Sequence, residues 1–433
     1  MGHQSTTSTL GGGQAWLNWS ISVLFVVFVF TLQTGYAITN VSVAQDLSLT
    51  MAQVGFVGTI YTFVFAITQL VSGSILDKIG TRWVLPIACL VVAAGAFLFA
   101  NASGPKMLVF SNVLAAIGAS FGFIGAGFTG GQWFSPLKYG FMFALVQLVA
   151  SLSAIIGQSV LGVMIEQVEW FVLINGLAII GVVIAIVMLF VLRDPQTEQA
   201  KYTWPGLRNF FHELFDSLSQ VVSIRDTWLN ALIGGATMGT MLGLGVIWGP
   251  RLLASGGMEQ GASYFVSSLA WAGLAIGAPL FSWISDKVKS RVKPMIVACI
   301  LQLLIIIIIL SNPESGASTA AVLFFLFGVM AGASMLPFTI AAELVSPTLI
   351  GTSAALVNAT QFVIGGFMMA IPGRVLDGTG VISRIREGTL SHLDAASSSA
   401  TIVDYQWAIS IMPVTLCIGL FLCFFLKETY PQS

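Results

Sequence analysis

The chain has 433 residues, of which 56% are hydrophobic and only 8% charged, against roughly 25% charged in an ordinary soluble domain. That balance excludes an ordinary water-soluble globular domain, and a formal net charge of −1 gives no electrostatic reason for a nucleic-acid partner. Four cysteines, Cys89, Cys299, Cys417 and Cys423, fall inside apolar runs at spacings that suit no metal site, so they read as packing residues and no metal or cofactor is expected.

Apolar runs of about 20 residues recur along the whole length, the length a helix needs to cross roughly 30 Å of hydrocarbon. Backbone groups in lipid must be satisfied within the segment, which leaves helices or a closed barrel. A barrel would show short alternating segments, and these runs are long and continuous, so the fold class is an all-α polytopic membrane protein.

In chain order, Met1 to Ala15 is polar, without a basic stretch or a cleavage site, and reads as a tail and not a signal peptide. Its Met1-Gly2 to Thr6 match to an acylation pattern adds nothing to the anchoring of a multi-span chain. Six spans are predicted at 19–44, 54–76, 83–100, 107–131, 139–165 and 169–192. Six more are predicted at 228–253, 264–284, 294–311, 320–342, 349–376 and 405–426. The domain reading is a tail over 1–18, a six-helix bundle over 19–192, a linker over 193–227, a second bundle over 228–427 and a tail over 428–433. Within the linker, Leu207, Phe210, Phe211, Leu214 and Phe215 recur at helical spacing with Arg208, His212, Glu213 and Asp216 between them. A helix lying in the membrane surface and a plain linker both fit that pattern.

With both termini cytoplasmic, twelve of the seventeen Lys and Arg residues face the cytoplasm, which is the orientation the positive-inside rule selects. The connection over 377–404 is then external, Ser/Ala-rich and without a readable fold.

Two stretches repeat. Gly73-Ser-Ile-Leu-Asp77-Lys78-Ile-Gly80-Thr-Arg82 returns 209 positions later as Ser282-Trp-Ile-Ser-Asp286-Lys287-Val-Lys-Ser-Arg291. Ser135-Pro136, followed by Gly140, Ala144, Leu145, Val146 and Gln147, returns 211 positions later as Ser346-Pro347, with Gly351, Ala355, Leu356, Val357 and Asn358. Two matches at nearly one offset make the halves six-span duplicates.

Six plus six spans with these loops after the second and eighth resemble the major facilitator superfamily of secondary transporters. The first loop is the closer match; the second replaces the leading glycine by Ser282 and carries Lys289 where Gly80 stood. The resemblance implies a secondary transporter of the inner membrane, not an enzyme, with a central site open to one side at a time. It also implies that spans one, four, seven and ten line the cavity, flanked by two, five, eight and eleven.

Independently of the family, Asp77 lies at the end of span two, where span eleven begins, and an anion at a helix N-terminus gains about 0.3–1 kcal/mol, up to about 2 when partly buried. A cytoplasmic gate is therefore expected from Gly73, Asp77, Lys78, Gly80 and Arg82 with Asp286, Lys287 and Arg291. The two arginines would steady the carboxylates, and Asp286 would face the start of span five near Gly140. Polar and aromatic candidates for substrate contact are Gln33, Tyr36, Asn40, Tyr61, Gln147, Gln158, Thr237, Trp271, Asn358 and Gln361; helix-to-helix bonding explains such residues equally well. Asp46, Arg251 and Arg374 are read as an outer gate, with Glu166 and Asp377 as further partners for the arginines.

No Lys, Arg, Asp, Glu or His falls near the middle of a cavity span, and such charges are costly and usually functional where they occur. The expected substrate is a small neutral or zwitterionic metabolite, such as an amino acid or a nucleoside, carried by a monomer in the lipid bilayer. Uptake by proton or sodium symport, or by facilitated diffusion, is the first reading. Export of an amphiphilic compound or siderophore is the second, although Gly157-Gln158-Ser-Val-Leu161-Gly162 lacks the proline of the drug-antiporter pattern. A non-transporting sensor on the same scaffold is the third.

Overall fold

The computed structural model describes residues 11–49, 51–165, 167–195, 206–386 and 401–431. Among them are twelve helices long and apolar enough to cross a membrane. They are α1 (Gly12–Asp46), α2 (Met51–Ile79), α3 (Thr81–Ala100), α4 (Pro105–Trp133), α5 (Tyr139–Met164) and α6 (Trp170–Val191). After a connecting helix, Leu207–Val222, come α7 (Arg225–Ser255), α8 (Gln260–Val288), α9 (Val292–Ser311), α10 (Ala317–Leu344), α11 (Ile350–Arg386) and α12 (Ile402–Cys423). Two boundaries differ from the sequence reading by seven residues or more. The first helix starts at Gly12, inside the expected tail, and α11 runs ten residues past its expected end, because no proline between 377 and 386 interrupts its hydrogen-bond ladder.

The chain forms two compact units, one from 1–228 with 338–359, the other from 229–337 with 360–433. In the first, α1 packs on α5 and α6, α3 packs on α4 and α6, and α2 packs on α4. In the second, α8 and α9 pack on α10, and α9 packs on α12. Beside an apolar core, burial departs from a soluble protein's in two ways. Asn18, Ser22, Gln69, Ser72 and Ser111 are buried, while Phe63, Ile67 and Phe190 lie exposed on outer faces. Apolar side chains have little to gain by leaving lipid, so large ones cover the outer faces as well as filling the core around Phe25, Phe143 and Phe324, while small and polar residues among them let helices pack closely and bond to one another.

The α8–α10 contact shows how close that packing is. Gly273 and Gly277 on α8 face Gly328 and Gly332 on α10, each pair one helical turn apart. A Cβ added at Gly328 would stand 1.9 Å from the Ala270 carbonyl oxygen, and one at Gly277 2.1 Å from that of Val329. The added carbon would meet the neighbouring helix's backbone there, so no side-chain shift can make room. Gly328→Ala should lower the apparent melting temperature of the purified protein, by an overpacking cost of about 1–3 kcal/mol. Gly316→Ala, where an added Cβ would meet nothing within 4 Å, should leave it unchanged.

Candidate functional site

The last turn of α2 carries a polar contact specified by several hydrogen bonds within the first unit. Asp77 Oδ1 accepts the Gly351 N–H at 2.7 Å; Oδ2 accepts the Thr352 N–H and Oγ1, both at 2.8 Å. These donors open the first turn of α11, where N–H groups have no partner within their own helix. Ser74 Oγ lies 2.9 Å from Thr352 Oγ1. Backbone proximity makes the geometry possible: a Cβ at Gly73 would come within 2.0 Å of the Gly351 carbonyl oxygen, and one at Gly351 within 2.7 Å of Asp77 Oδ1. Side chains larger than hydrogen at either position would wedge the carboxylate off its donors.

A second, uncharged contact lies in the same unit. A Cβ at Gly140 would meet Thr339 Oγ1 at 1.9 Å, so the α5 backbone lies directly against the Thr339 side chain of α10. Beside them Phe143 stacks on Phe338 with ring centroids 4.7 Å apart, Phe123 packs on both, and Tyr139 packs on Phe143.

The motif loops are held from behind by acids that sequence reasoning passed over. After the loop turns at Gly80 (φ 83°), Asp194 Oδ1 accepts the Thr81 N–H at 2.9 Å, the Thr81 hydroxyl at 3.1 Å and the Arg82 N–H at 3.2 Å. It thereby caps α3. In the second unit Glu428 does the same for α9, accepting the Ser290 hydroxyl at 2.5 Å, the Arg291 N–H at 2.8 Å and the Val292 N–H at 3.3 Å. Burial works to raise the Glu428 carboxyl, but these donors with the Tyr430 N–H outweigh it and hold it below the usual carboxylate range. Such a cap is at full strength above that range and is lost as pH falls through the lowered value. The position equivalent to Gly80 is Lys289, which also has a positive φ but in a different conformation: Lys289 is left-handed helical (φ 51°, ψ 44°), at a steric cost of about 1–2 kcal/mol, whereas Gly80 has φ 83° with an extended ψ of −177°. One signal was available: Arg193-Asp194 and Lys427-Glu428 are matching basic-acidic pairs, each just after the last helix of its half.

The other gate candidates divide. Arg291 holds Asp286 at 2.7 Å, as the sequence suggests, and also lies over the Tyr430 ring. Arg82 does not steady Asp77; its exposed guanidinium lies over Trp83, because the Gly80 turn carries it to the outer start of α3. Lys78 pairs with Glu213 of the connecting helix at 3.3 Å, and Lys287 lies over Trp283. Of the outer-gate residues, Asp46 accepts the Trp170 indole N–H at 2.6 Å, Arg251 lies over Trp248, and Arg374 is exposed. Glu166 and the side chain of Asp377 lie outside the described residues.

The polar candidates divide as well. Gln33 donates to the Tyr61 hydroxyl at 2.7 Å, and Tyr36 stands edge-on to Phe99; all three candidates are half-buried. Trp271, also half-buried, packs on the core of the second unit. Gln147 bonds to Ser151 of its own helix. Thr237 and Gln361 join helices: Thr237 bonds back to α7 carbonyls and receives Gln302 on its own carbonyl, while Gln361 donates to the Ser334 carbonyl. Asn358 is 3% exposed, and its Nδ2 has no hydrogen-bond partner. The side chains of Asn40 and Gln158 lie outside the described residues.

In the second unit, α7 and α11 are each interrupted by a proline. Before Pro250 α7 makes a π turn, Gly243–Trp248, in which the Gly249 N–H bonds to the Leu244 carbonyl and leaves that of Gly245 free. Ser267 of α8 supplies the missing donor, 3.0 Å from the Gly245 oxygen. In α11, Pro372 has no N–H for the Met368 carbonyl, and Trp248 Nε1–H fills the gap, 3.1 Å from the carbonyl oxygens of both Met368 and Met369. Each break is thus mended by the other helix or by α8.

Comparison with known proteins fits this architecture. The family model described as Major Facilitator Superfamily matches residues 21–370. An uncharacterized transporter of Bacillus subtilis (strain 168), YybO, is 22% identical over 395 residues, 84% of this chain and 88% of that protein. The riboflavin transporter RibZ of Clostridioides difficile (strain 630) is 25% identical over 44% of this chain and 43% of its own length. Among solved structures, the fucose transporter FucP in its outward conformation superposes with a TM-score of 0.68 at 15% identity, covering 96% of this chain and 100% of FucP. At that identity the likeness speaks to the fold.

The Trp248 bond to α11 makes a specific expectation for purified protein. Trp248→Phe should lower the melting temperature, by about 1–3 kcal/mol for an orphaned buried carbonyl. In a Pro372→Ala background, which restores an N–H for Met368, the same substitution should cost at most half as much. Equal costs in both backgrounds would mean that the indole N–H does not serve the proline gap.

Proposed function

Because the chain belongs to the Major Facilitator Superfamily, a multi-pass inner-membrane family of transporters for small molecules, we propose that it takes up a small neutral or zwitterionic metabolite by alternating access, as a monomer with both termini cytoplasmic. The observation that carries this reading is the pairing of mid-span helices without ionised side chains and a buried amide donor without a partner, Nδ2 of Asn358. An unsatisfied donor costs about 1–3 kcal/mol when buried, a cost a substrate hydroxyl, carbonyl or carboxylate oxygen would remove. Gln33, Tyr36 and Tyr61 supply further neutral polar contacts on α1 and α2.

Relatives' and neighbours' named substrates are chemically diverse, and the uncharged ones fit these spans better than the charged ones. Riboflavin and fucose are uncharged. Galactarate and D-glucarate, named for a probable transporter of Bacillus subtilis that is 24% identical over 40% of this chain, are dianions, and a dianion at mid-bilayer would call for the cationic partner that these spans lack. Coupling is to a proton or sodium ion, or absent in the manner of a facilitator. The Asp77 seat is the latch that favours the form closed to the cytoplasm, and it parts when the substrate is released inward.

Reconstituted in liposomes, the protein should exchange labelled amino acids or nucleosides in counterflow and leave dicarboxylates outside. Asn358→Ala should raise KM by about tenfold, the equivalent of about 1.4 kcal/mol. Asp77→Asn should instead lower the maximal rate by about tenfold or more at equal membrane insertion. Counterflow confined to dicarboxylates, or an unchanged KM in Asn358→Ala, would overturn the substrate reading.

A further inference from the structure

The connecting helix Leu207–Val222 carries two unlike apolar stripes. Phe210, Leu214, Ser217 and Val221 are buried on the first unit. Phe211 and Phe215, one turn apart on an adjoining face, are 52% and 67% exposed, with Leu218 half-buried beside them. His212 and Asp216, paired at 3.2 Å, face solvent between the stripes' ends. A helix needing only to dock would carry the inner stripe alone, so the outer stripe requires its own covering.

The surroundings name the covering. This helix follows the end of α6 and precedes the start of α7, so both of its ends are tied to places where a span leaves the bilayer. Trp16, Trp83 and Trp228, at the starts of α1, α3 and α7, are exposed, and Trp83 lies beside Arg82 and Trp228 three positions from Arg225. Exposed indoles with basic neighbours at helix ends mark the headgroup level of a membrane. Sixteen residues span about 24 Å at 1.5 Å each, and with four charged or titratable groups among them the helix is not one of the spanning set.

We propose that this helix is a membrane-surface strap, its outer stripe of Phe211 and Phe215 seated at the boundary between lipid headgroups and acyl chains. Its inner stripe packs on the first unit, and Glu213 reaches the Lys78 ammonium, next to Asp77. The bilayer surface and the latch helix are therefore joined through one short rod. A partner protein or a second copy would cover the same stripe without oxygen-rich hydrocarbon around it, and that difference can be measured.

The test places a single nitroxide at position 211, 212, 215 or 216 of the full chain, with Cys417→Ser removing the one exposed native thiol. Each protein is reconstituted in liposomes of zwitterionic and anionic phospholipid. Power saturation then compares collision with oxygen, which concentrates in acyl chains, against a water-soluble nickel chelate. Labels replacing Phe211 and Phe215 should favour oxygen by about threefold or more over labels replacing His212 and Asp216. Equal nickel access at all four positions would overturn the proposal, as would spin–spin broadening at 211 and 215, which would show a second copy on the stripe. The readout does not depend on which solute is carried, so a failed transport assay leaves it intact.

Discussion

A carboxylate seated on the first-turn N–H groups of another helix is the contact on which the alternating-access part of the proposed function depends. Asp77 satisfies two backbone donors and a hydroxyl at the start of α11, and two glycines, Gly73 and Gly351, are there because nothing larger would let it. The contact is strong where it exists and falls to nothing within a few ångströms, since charge-assisted hydrogen bonds of about 1.5–3 kcal/mol need their geometry. Made of one buried-edge anion and uncharged partners, it can break without leaving two ions stranded in hydrocarbon. Those are the properties a reversible closure needs, and a permanent packing contact does not.

The two halves reuse a plan but not its chemistry. Both cap the helix after the motif loop with an acid from just beyond their sixth span, Asp194 and Glu428. In the first half the motif acid is left free for α11 because Arg82 has swung to Trp83. In the second, Arg291 holds Asp286, and the tail residue Tyr430 covers the guanidinium. Where a glycine stands at 80 with an extended ψ, a lysine stands at 289 in a left-handed helical conformation; the two share only a positive φ. The acid cap after the loop is thus common to both halves, while one motif copy is a seat for another helix and the other a self-contained clasp.

Much of the fold was legible because its signals are long. A run of twenty apolar residues, a proline at a helix start and a motif repeated at one offset survive without knowledge of neighbours. Partner choice was not legible. Thr237 and Gln361 have the right face and depth for a cavity, and only the structure shows their bonds turned to α7, α9 and α10. Arg82 follows its motif at the usual spacing, yet the Gly80 turn decides where it points. Trp248 carries no motif at all; its role follows from an N–H that Pro372 lacks, on a helix 120 residues away. Single acids after a helix are too common to stand out, which is why Asp194 and Glu428 became visible only as a pair.

Ser74, buried and bonded to Thr352 beside the Asp77 carboxylate, reports directly on the seat. With Cys417 replaced by serine and a cysteine at position 74, the rate of alkylation by a small water-soluble maleimide measures how often the contact opens. Slow alkylation in the protein with Asp77, accelerated about tenfold or more by Asp77→Asn, is the result expected of a carboxylate latch. An identical rate with and without the carboxylate would show that α2 and α11 stay together for other reasons, and the latch would have to be given up.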